Sequence, residues 1–212
     1  MGPVRPGYGQ CYQCDAASRM AAGLLADAVA PIAYAVKGGD LAGDLRLYKS
    51  DRAGAAAARE RLRLMLGEFL REHGQSVWRA AGMAATPAVL AVVPSGQGRP
   101  GDHPLLSIAV KVVRLPVVQL CVRPEGAARG RFVSTQWLRV RGEVTGRDVL
   151  LLDDTWVSGA SAQSAAATLK LAGAARVAVV VLGRHLDPAD PQSVDFVTKA
   201  AKTLPSVHNI TR

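Results

Sequence analysis

The sequence predicts an α/β fold, in which helices flank a mostly parallel sheet. The first observation is a set of short, mainly apolar runs that have the length and composition of strands, of which 88–93 is expected to be buried and 149–152 to be buried on both faces. These runs are 32–36, 88–93, 117–122, 149–152 and 176–182. The second observation is that helix-forming segments alternate with the runs, as in a sheet whose parallel strands are joined by crossover helices. A chain of 212 residues is long enough for one such domain.

Two helices are predicted in the first part of the chain. Residues 15–30 are Ala-rich and should form a helix that ends near Pro31, because proline cannot continue the hydrogen-bond ladder. Asp51 is expected to cap a long helix over 52–73, which Gly74 should end.

The rest of the chain adds three predicted helices and one long connection. The helices are 104–113, 160–171 and 194–204. The connection, 123–146, is polar and rich in arginine, and its centre, 131–140, alternates like a hairpin. Because a connection of this length in a compact domain is often functional, we expect a lid there. The candidate lid residues are Arg129, Arg131, Arg139 and Arg141.

Charge and composition limit the kinds of partner. The net charge of +9 favours anionic partners. Aromatic residues make up only 5% of the chain, too few for a surface that stacks single-stranded bases, so small anionic metabolites are favoured over nucleic acid. The longest membrane candidate, 20–36, is interrupted by Asp27 and Pro31, and the N-terminus lacks the apolar core of a signal peptide. We therefore expect a cytoplasmic protein without a membrane span.

The cysteines argue against a disulfide framework, because their number is odd. They are Cys11, Cys14 and Cys121. Cys11 and Cys14 have the spacing of half a zinc knuckle, but a structural zinc site needs four ligands and no second pair follows. We expect reduced cysteines rather than zinc.

The motif richest in chemistry spans residues 149–161. Asp153 and Asp154 follow an apolar strand, and a loop with hydroxyls and Gly159 then opens a helix. Backbone amides of such a loop bind phosphate, and neighbouring carboxylates bind the vicinal hydroxyls of a sugar, so the motif predicts a sugar-phosphate site. The alternative is an ordinary strand and helix with two solvated acids. A nucleophile elbow is excluded, because the stretch 159–163 lacks its second glycine.

This motif resembles the phosphoribosyl-pyrophosphate (PRPP) signature of type I phosphoribosyltransferases. The resemblance implies that Asp153 and Asp154 contact the ribose hydroxyls and that Mg²⁺ is the cofactor, held through PRPP rather than by dedicated protein ligands. It also implies a set of residues around the 5′-phosphate: Thr155, Trp156, Val157, Ser158, Gly159, Ala160 and Ser161. In 6-oxopurine enzymes an Asp occupies the position of Val157, which cannot exchange a proton, and this argues against a hypoxanthine-guanine enzyme. Trp156 is expected to pack beneath the loop or to flank a ligand.

A second loop follows the predicted strand 88–93. Residues 96–101 satisfy the dinucleotide pattern G-x-G-x-x-G, with Glu125 as a possible ribose acid, but Pro104 falls where that helix should already propagate. As part of a phosphoribosyltransferase, the loop would instead present amides and a cation to the pyrophosphate group. The residues assigned to this role are Ser95, Gly96 and Arg99, of which Arg99 is also a catalytic candidate. His103 is assigned a structural role in preference to a catalytic one.

The order of motifs resembles the ComF-like, amidophosphoribosyltransferase-type branch of that family. The shared features are the Cys-x-x-Cys segment, a Tyr-Lys segment at 47–52, the arginine-bearing loops and the signature. The resemblance implies an N-terminal segment over 1–30, a phosphoribosyltransferase domain over 31–212, and a hood, formed by 1–30 and 184–212, that selects the acceptor. A homodimer is usual in the family.

Three functions are compatible with the signature. The first is an enzyme, a pentosyltransferase of nucleotide metabolism, that transfers the phosphoribosyl group of PRPP to a nitrogen acceptor with release of pyrophosphate. The second is a non-catalytic PRPP or nucleotide sensor, acting in regulation or DNA processing. The third is a nucleotide hydrolase on the same fold. The sequence favours the first, and it does not identify the acceptor.

Overall fold

The computed structural model describes residues 12–21, 23–95, 103–124, 132–190 and 193. Within these residues the helices are α1 Tyr12–Met20, α2 Asp40–Leu47, α3 Ala55–Ala80, α4 Pro104–Val112 and α5 Ala160–Leu171. The strands are β1 Ala28–Val36, β2 Val89–Val92, β3 Gln119–Val122, β4 Leu138–Arg141, β5 Asp148–Trp156 and β6 Arg176–Leu186. The predicted helix over 194–204 lies outside the described residues.

Four strands form a parallel sheet in the order β1-β6-β5-β2. An isolated parallel bridge between Leu90 and Val117 brings the segment before β3 beside β2. β3 then pairs with β4 in a separate antiparallel ribbon, with Val122 opposite Leu138. The predicted α/β class, a mostly parallel sheet flanked by helices, is confirmed.

The core has two halves, one on each face of the sheet. On one face, α2, α3 and α4 cover Leu150 and Leu152 of β5. On the other face, α5 and the β3–β4 ribbon cover Val149 and Leu151 of the same strand. Successive residues of a strand point to opposite faces, so a strand covered on both sides needs a continuous apolar run. This is why the run at 149–152 predicts a central strand.

The N-terminal helix is much shorter than the sequence predicts. α1 ends at Met20, and residues 28–30, expected to be helical, belong to β1. Pro31 lies within this strand, where it faces Val181 of β6. Proline is tolerated there because β1 is the last strand on its side of the described sheet, and an edge strand need not offer every N–H to a partner. The Ala-rich composition was the wrong guide, because tertiary pairing overrides helix propensity.

The predicted ends of the long helix are also wrong. Gly54, with φ of 85°, stands at the N-cap of α3 in place of Asp51, which is exposed. The helix continues through Gly74 to Ala80. Gly74 is buried, and a Cβ there would lie 3.5 Å from the ring of Trp78. Close packing against this indole therefore offsets the low helix propensity of glycine.

The two central strands extend beyond their apolar runs. β5 continues through Asp153, Asp154 and Thr155 to Trp156, and β6 continues to Leu186. The acids therefore lie inside the paired part of β5 and not after it. No helix within the described residues combines the length and apolarity needed to cross a membrane.

Candidate functional site

The carboxyl ends of the parallel strands form the edge at which open α/β sheets bind ligands. β1, β6, β5 and β2 are parallel, so their last residues meet at this edge. Asp153 and Asp154 lie there near the end of β5, and each is only 7% exposed. Burial of two adjacent acids is costly unless each has partners. The groups around each carboxylate therefore show how its charge is stabilised.

The carboxylate of Asp154 is held by the segment that follows α2. The hydroxyl of Tyr48 donates a hydrogen bond of 2.5 Å to Oδ2 of Asp154. The ammonium group of Lys49 forms an ion pair with the same oxygen. Tyr48 is fully buried, and the side chain of Lys49 is 29% exposed. Two consecutive residues therefore converge on one oxygen of the second acid.

These contacts keep Asp154 ionised. Burial acts to raise the pKa of its carboxyl group, but the charge of Lys49, the hydrogen bonds from Lys49 and Tyr48, and the charge of His103 act in the opposite direction. Together they hold the pKa of Asp154 below its ordinary value of 3.8. At neutral pH this residue is a fixed negative charge.

Asp153 has different surroundings. Its Oδ1 accepts a hydrogen bond of 2.9 Å from the backbone N–H of Asp154. Strand alternation places Asp153 on the face of Val149 and Leu151, whereas Asp154 contacts Tyr48 on the opposite face. A ligand that contacts both acids must therefore lie across the end of β5.

The loop between β5 and α5 is shaped by one glycine and one tryptophan. Gly159 has φ of 80°, a left-handed conformation that suits glycine, and it immediately precedes α5. The indole of Trp156 occupies the space into which a side chain at position 159 would project. Trp156 therefore packs against the loop from below, which is the first of the two roles expected for it.

The other predicted phosphate-binding residues lie along this loop. Thr155, Ser158 and Ser161 are half-buried, Ala160 is buried, and Val157 is 71% exposed. The hydroxyl of Ser158 accepts a hydrogen bond of 3.3 Å from the backbone N–H of Ala160. The loop thus brings small and hydroxyl-bearing residues to the amino end of α5, where backbone N–H groups lack intrahelical partners.

The predicted pyrophosphate loop is described only at its two ends. Ser95 follows β2 and is half-buried, whereas Gly96, Arg99 and the rest of the G-x-G-x-x-G stretch lie outside the described residues. At the far end, α4 begins at Pro104. Nδ1 of His103 accepts a hydrogen bond of 3.2 Å from the backbone N–H of Leu105. His103 therefore caps α4.

The candidate lid arginines fall into two groups. Arg129 and Arg131 lie outside the described residues. Arg139 and Arg141 are exposed on β4, opposite Cys121 and Gln119 of β3. β3 follows a segment aligned in parallel with β2, so its end at Val122 is the one nearer the carboxyl edge. Arg139 is thus one residue pair from that end, and Arg141 is three pairs away.

Sequence analysis missed the roles of Tyr48 and Lys49. It noted the Tyr-Lys segment before the long helix but assigned it no contact with the acids. The available signal was the polar Tyr-Lys pair between two amphipathic segments. Of the Cys-x-x-Cys pair, for which zinc was not expected, Cys11 lies outside the described residues. Within the described residues, no group of three His, Cys, Asp or Glu side chains is placed to hold a metal ion.

Comparisons with known proteins give matches only among solved structures. No protein-family model and no curated protein matches the chain. A purine phosphoribosyltransferase from Pyrococcus horikoshii Ot3 matches 62% of this chain and 87% of its own, with 17% identity and a TM-score of 0.39. An adenine phosphoribosyltransferase from Leishmania tarentolae matches 68% of this chain and 64% of its own, with 17% identity and a TM-score of 0.41.

A third matching protein is longer than this chain. Phosphoribosylpyrophosphate synthetase from Mycobacterium smegmatis is 22% identical over 62% of this chain, with a TM-score of 0.37. The match spans 36% of the synthetase.

Proposed function

We propose that this protein is a phosphoribosyltransferase, which binds PRPP with Mg²⁺ and transfers the phosphoribosyl group to a nitrogen acceptor with release of pyrophosphate. The observation that carries the proposal is the juxtaposition at the end of β5. Two buried acids, Asp153 and Asp154, are followed directly by a loop whose left-handed Gly159 leads into α5. Carboxylates suit ribose hydroxyls, and the loop amides suit the phosphate attached to the same sugar.

In this proposal each part of the site has one task. Asp153 and Asp154 orient the ribose, and residues 155–161 hold the 5′-phosphate. Ser95 follows β2, the strand beside β5, and with Gly96 and Arg99 it would bind the pyrophosphate. Arg129, Arg131 and Arg139 would approach as a lid and exclude water. The register of β4 makes Arg141 a weaker candidate than Arg139, since it lies farther from the carboxyl edge.

The reaction forms one bond and breaks one bond at C1′ of the ribose. The lone pair of the acceptor nitrogen makes the C1′–N bond, and the C1′–O bond breaks with its electron pair leaving on pyrophosphate. The acceptor nitrogen then loses its proton to solvent. Charge develops on the leaving pyrophosphate, so cations placed there lower the barrier.

Mg²⁺ fits this donor set, because it prefers oxygen ligands and usually binds through one or two carboxylates together with substrate phosphates. Asp153 and Asp154 are the carboxylates that would stand beside PRPP oxygens. The ion would neutralise pyrophosphate charge.

Three further parts of the proposal are the branch of the family, the hood and the oligomeric state. Assignment to the ComF-like branch is supported by the Tyr-Lys segment, whose two side chains both hold Asp154. The hood, from 1–30 and 184–212, and a homodimer remain proposals. Residues 28–30 and 184–186 of those segments are paired within β1 and β6, so the hood would arise from the residues beyond them.

The proposal is tested by the shift in melting temperature on adding PRPP with Mg²⁺. A ligand that binds only the folded state raises this temperature. We expect a clear shift for the wild type and for Asp51→Asn, whose carboxylate is exposed, and little or no shift for Asp153→Asn and Asp154→Asn. Equal shifts in all four proteins would overturn the assignment of the acids.

Turnover separates the three candidate functions. Release of pyrophosphate that requires a nitrogen acceptor supports the transferase. Saturable PRPP binding without pyrophosphate release, for a panel of bases and amines, would support the sensor. Hydrolysis of nucleoside monophosphates in the absence of any acceptor would support the hydrolase.

A further inference from the structure

A second cleft opens at the same edge of the sheet, beside β1 and β6. It has a volume of about 380 Å³ and is bordered by the ends of β1 and β6, by α2 and by Thr155 of β5. Small-molecule sites in proteins generally have volumes of about 300–1,000 Å³. We call it the α2 cleft. Its volume suits a single ring or a short chain.

The lining of the α2 cleft is strongly basic. The basic residues are Lys37, Arg46, Lys49 and His185. Asp187 is the one carboxylate among the described residues that line it. Lys37 donates a 2.8 Å hydrogen bond to Asp187, and Lys49 pairs with Asp154, so these two charges are largely compensated.

Arg46 differs from the two lysines of this lining, because its described hydrogen bond goes to its own helix and not to a carboxylate. Its Nε donates a hydrogen bond of 3.3 Å to the backbone oxygen of Ala42, one turn earlier in α2. It forms no ion pair with any carboxylate among the described residues. His185 is half-buried at the other side of the cleft. The cleft therefore offers an anion one guanidinium and one imidazole.

The floor of the α2 cleft is apolar. Ala35, Ala42 and Leu45 line it, and all three are buried. Gly183 of β6 lies beneath, where an added Cβ would be 2.5 Å from Cδ1 of Leu45 and 3.0 Å from Cβ of Ala35. An apolar floor with cationic walls suits a ligand that has an apolar body and an anionic substituent.

Thr155 and Lys49 connect this cleft to the site described above. Thr155 lines the cleft and directly follows Asp154 in β5, and Lys49 lines the cleft while holding Asp154. A molecule in the cleft would therefore lie next to a ribose oriented by that acid.

From these contacts, we infer that the α2 cleft is the acceptor site and that it selects an acceptor with an anionic group, a carboxylate or a phosphate, bound by Arg46 and His185. The inference rests on the proposed transferase function for the role of the ligand, and on the cleft alone for its charge. The apolar body of the acceptor would lie on Ala35 and Leu45.

The test uses benzoate, its neutral isostere benzamide, and inorganic phosphate as probes. Binding is followed by the imidazole NMR signals of His185, which are assigned with His185→Gln. We expect benzoate or phosphate, but not benzamide, to shift these signals with saturation. Arg46→Gln should weaken that binding about tenfold or more, because it removes a charge-assisted hydrogen bond. The matched control Arg79→Gln alters an exposed arginine in the last turn of α3 and should have no effect.

PRPP binding, measured separately by melting temperature, distinguishes the two proposals. If PRPP binds but neither anion shifts His185, or if Arg46→Gln and Arg79→Gln behave alike, the cleft is not an anion site and the inference fails while the transferase proposal stands. If the anions bind in the cleft but PRPP does not bind, the acceptor role fails together with the transferase proposal. Phosphate that binds only at the 5′-phosphate loop leaves His185 unshifted, and the inference then fails unless benzoate shifts these signals.

Discussion

Tyr48 and Asp154 are 106 positions apart in the chain and are joined by a 2.5 Å hydrogen bond inside the protein. The bond ties the end of α2 to the carboxyl end of β5, so it fixes one acid of the candidate site against the helix that forms a wall of the α2 cleft. The same oxygen also forms an ion pair with the ammonium group of Lys49. A substitution that moves this acid is therefore expected to change both its pKa and the stability of the protein.

Removal of the Tyr48 hydroxyl should destabilise the protein. Tyr48→Phe leaves a buried carboxylate with one hydrogen bond fewer, a loss of about 1–3 kcal/mol in the free energy of unfolding. Chemical denaturation measures it. Tyr12→Phe is the matched control, because Tyr12 is 69% exposed, and it should change stability by less than about 0.5 kcal/mol. Equal effects of the two substitutions would contradict the hydrogen bond.

Removal of the Lys49 charge should destabilise the protein in a pH-dependent way. Lys49→Met leaves the Asp154 carboxylate buried without its ion-pair partner, which costs about 3 kcal/mol at pH 7. This is the low end of the usual range, because the side chain of Lys49 is 29% exposed. Urea denaturation between pH 3 and pH 7 gives the measurement.

The sign of the pH dependence follows from the pKa of Asp154. In the wild type this pKa is below 3.8, so the stabilisation is complete above the unfolded value and is lost as the pH falls through the folded value. In Lys49→Met, burial raises the pKa of Asp154, and the carboxyl group takes up a proton at higher pH. The difference in stability between wild type and variant should therefore shrink as the pH falls. Arg79→Met, an exposed control in the last turn of α3, should show a small difference that varies little with pH.

An alanine at position 159 should be far more costly than an alanine at a comparable glycine. Gly159 and Gly146 both have positive φ, of 80° and 68°, but a Cβ meets the Trp156 indole at the first and open space at the second. We expect Gly146→Ala to cost about 1–2 kcal/mol from backbone strain alone. Gly159→Ala should cost a further 1–3 kcal/mol, roughly, from overpacking.

A double-mutant cycle identifies the cause of that excess. In a Trp156→Leu background the indole is gone, so Gly159→Ala should cost about as much as Gly146→Ala, with a coupling energy of about 1–3 kcal/mol between positions 156 and 159. A coupling energy near zero would show that the indole does not constrain the loop.

Two glycines near the α2 cleft should respond to alanine with opposite signs. Gly183→Ala places a Cβ against Leu45 and Ala35, which should cost about 1–3 kcal/mol. Gly43→Ala adds a Cβ in open space within α2, where the higher helix propensity of alanine should stabilise by about 0.5–1 kcal/mol. Thermal denaturation decides both. A neutral Gly183→Ala would mean that the cleft floor is loosely packed.

The fold was predictable where local pattern and burial agree. The run at 149–152 is buried on both faces. A strand in that position needs apolar residues at every position, so its consecutive aliphatic residues predict it. Residues 28–30 were predicted as helix because alanine favours helices, whereas their partners in β6 lie about 150 positions later in the chain, beyond any local pattern. Gly74 was predicted to end α3 because glycine commonly ends helices, whereas its packing against Trp78, four residues later, exists only once the helix continues.

The candidate site was predictable in the same measure. The acids and the loop are contiguous, so their order alone predicts a sugar-phosphate site. The holding of Asp154 by Tyr48 and Lys49 is a contact between distant segments, and the divergence of the two acids depends on how far β5 extends. Neither fact has a local signature.

The pairing of β1 with β6 has a consequence for biosynthesis. Among the described strands, β6 is the one partner of β1, and it is the last of them to be made. On the ribosome the first strand must stay unpaired until nearly the whole sheet has been translated, because non-local pairings form only when both segments are present. Nascent chains that stop before β6 should therefore be poorly folded and prone to associate through the unpaired β1 segment.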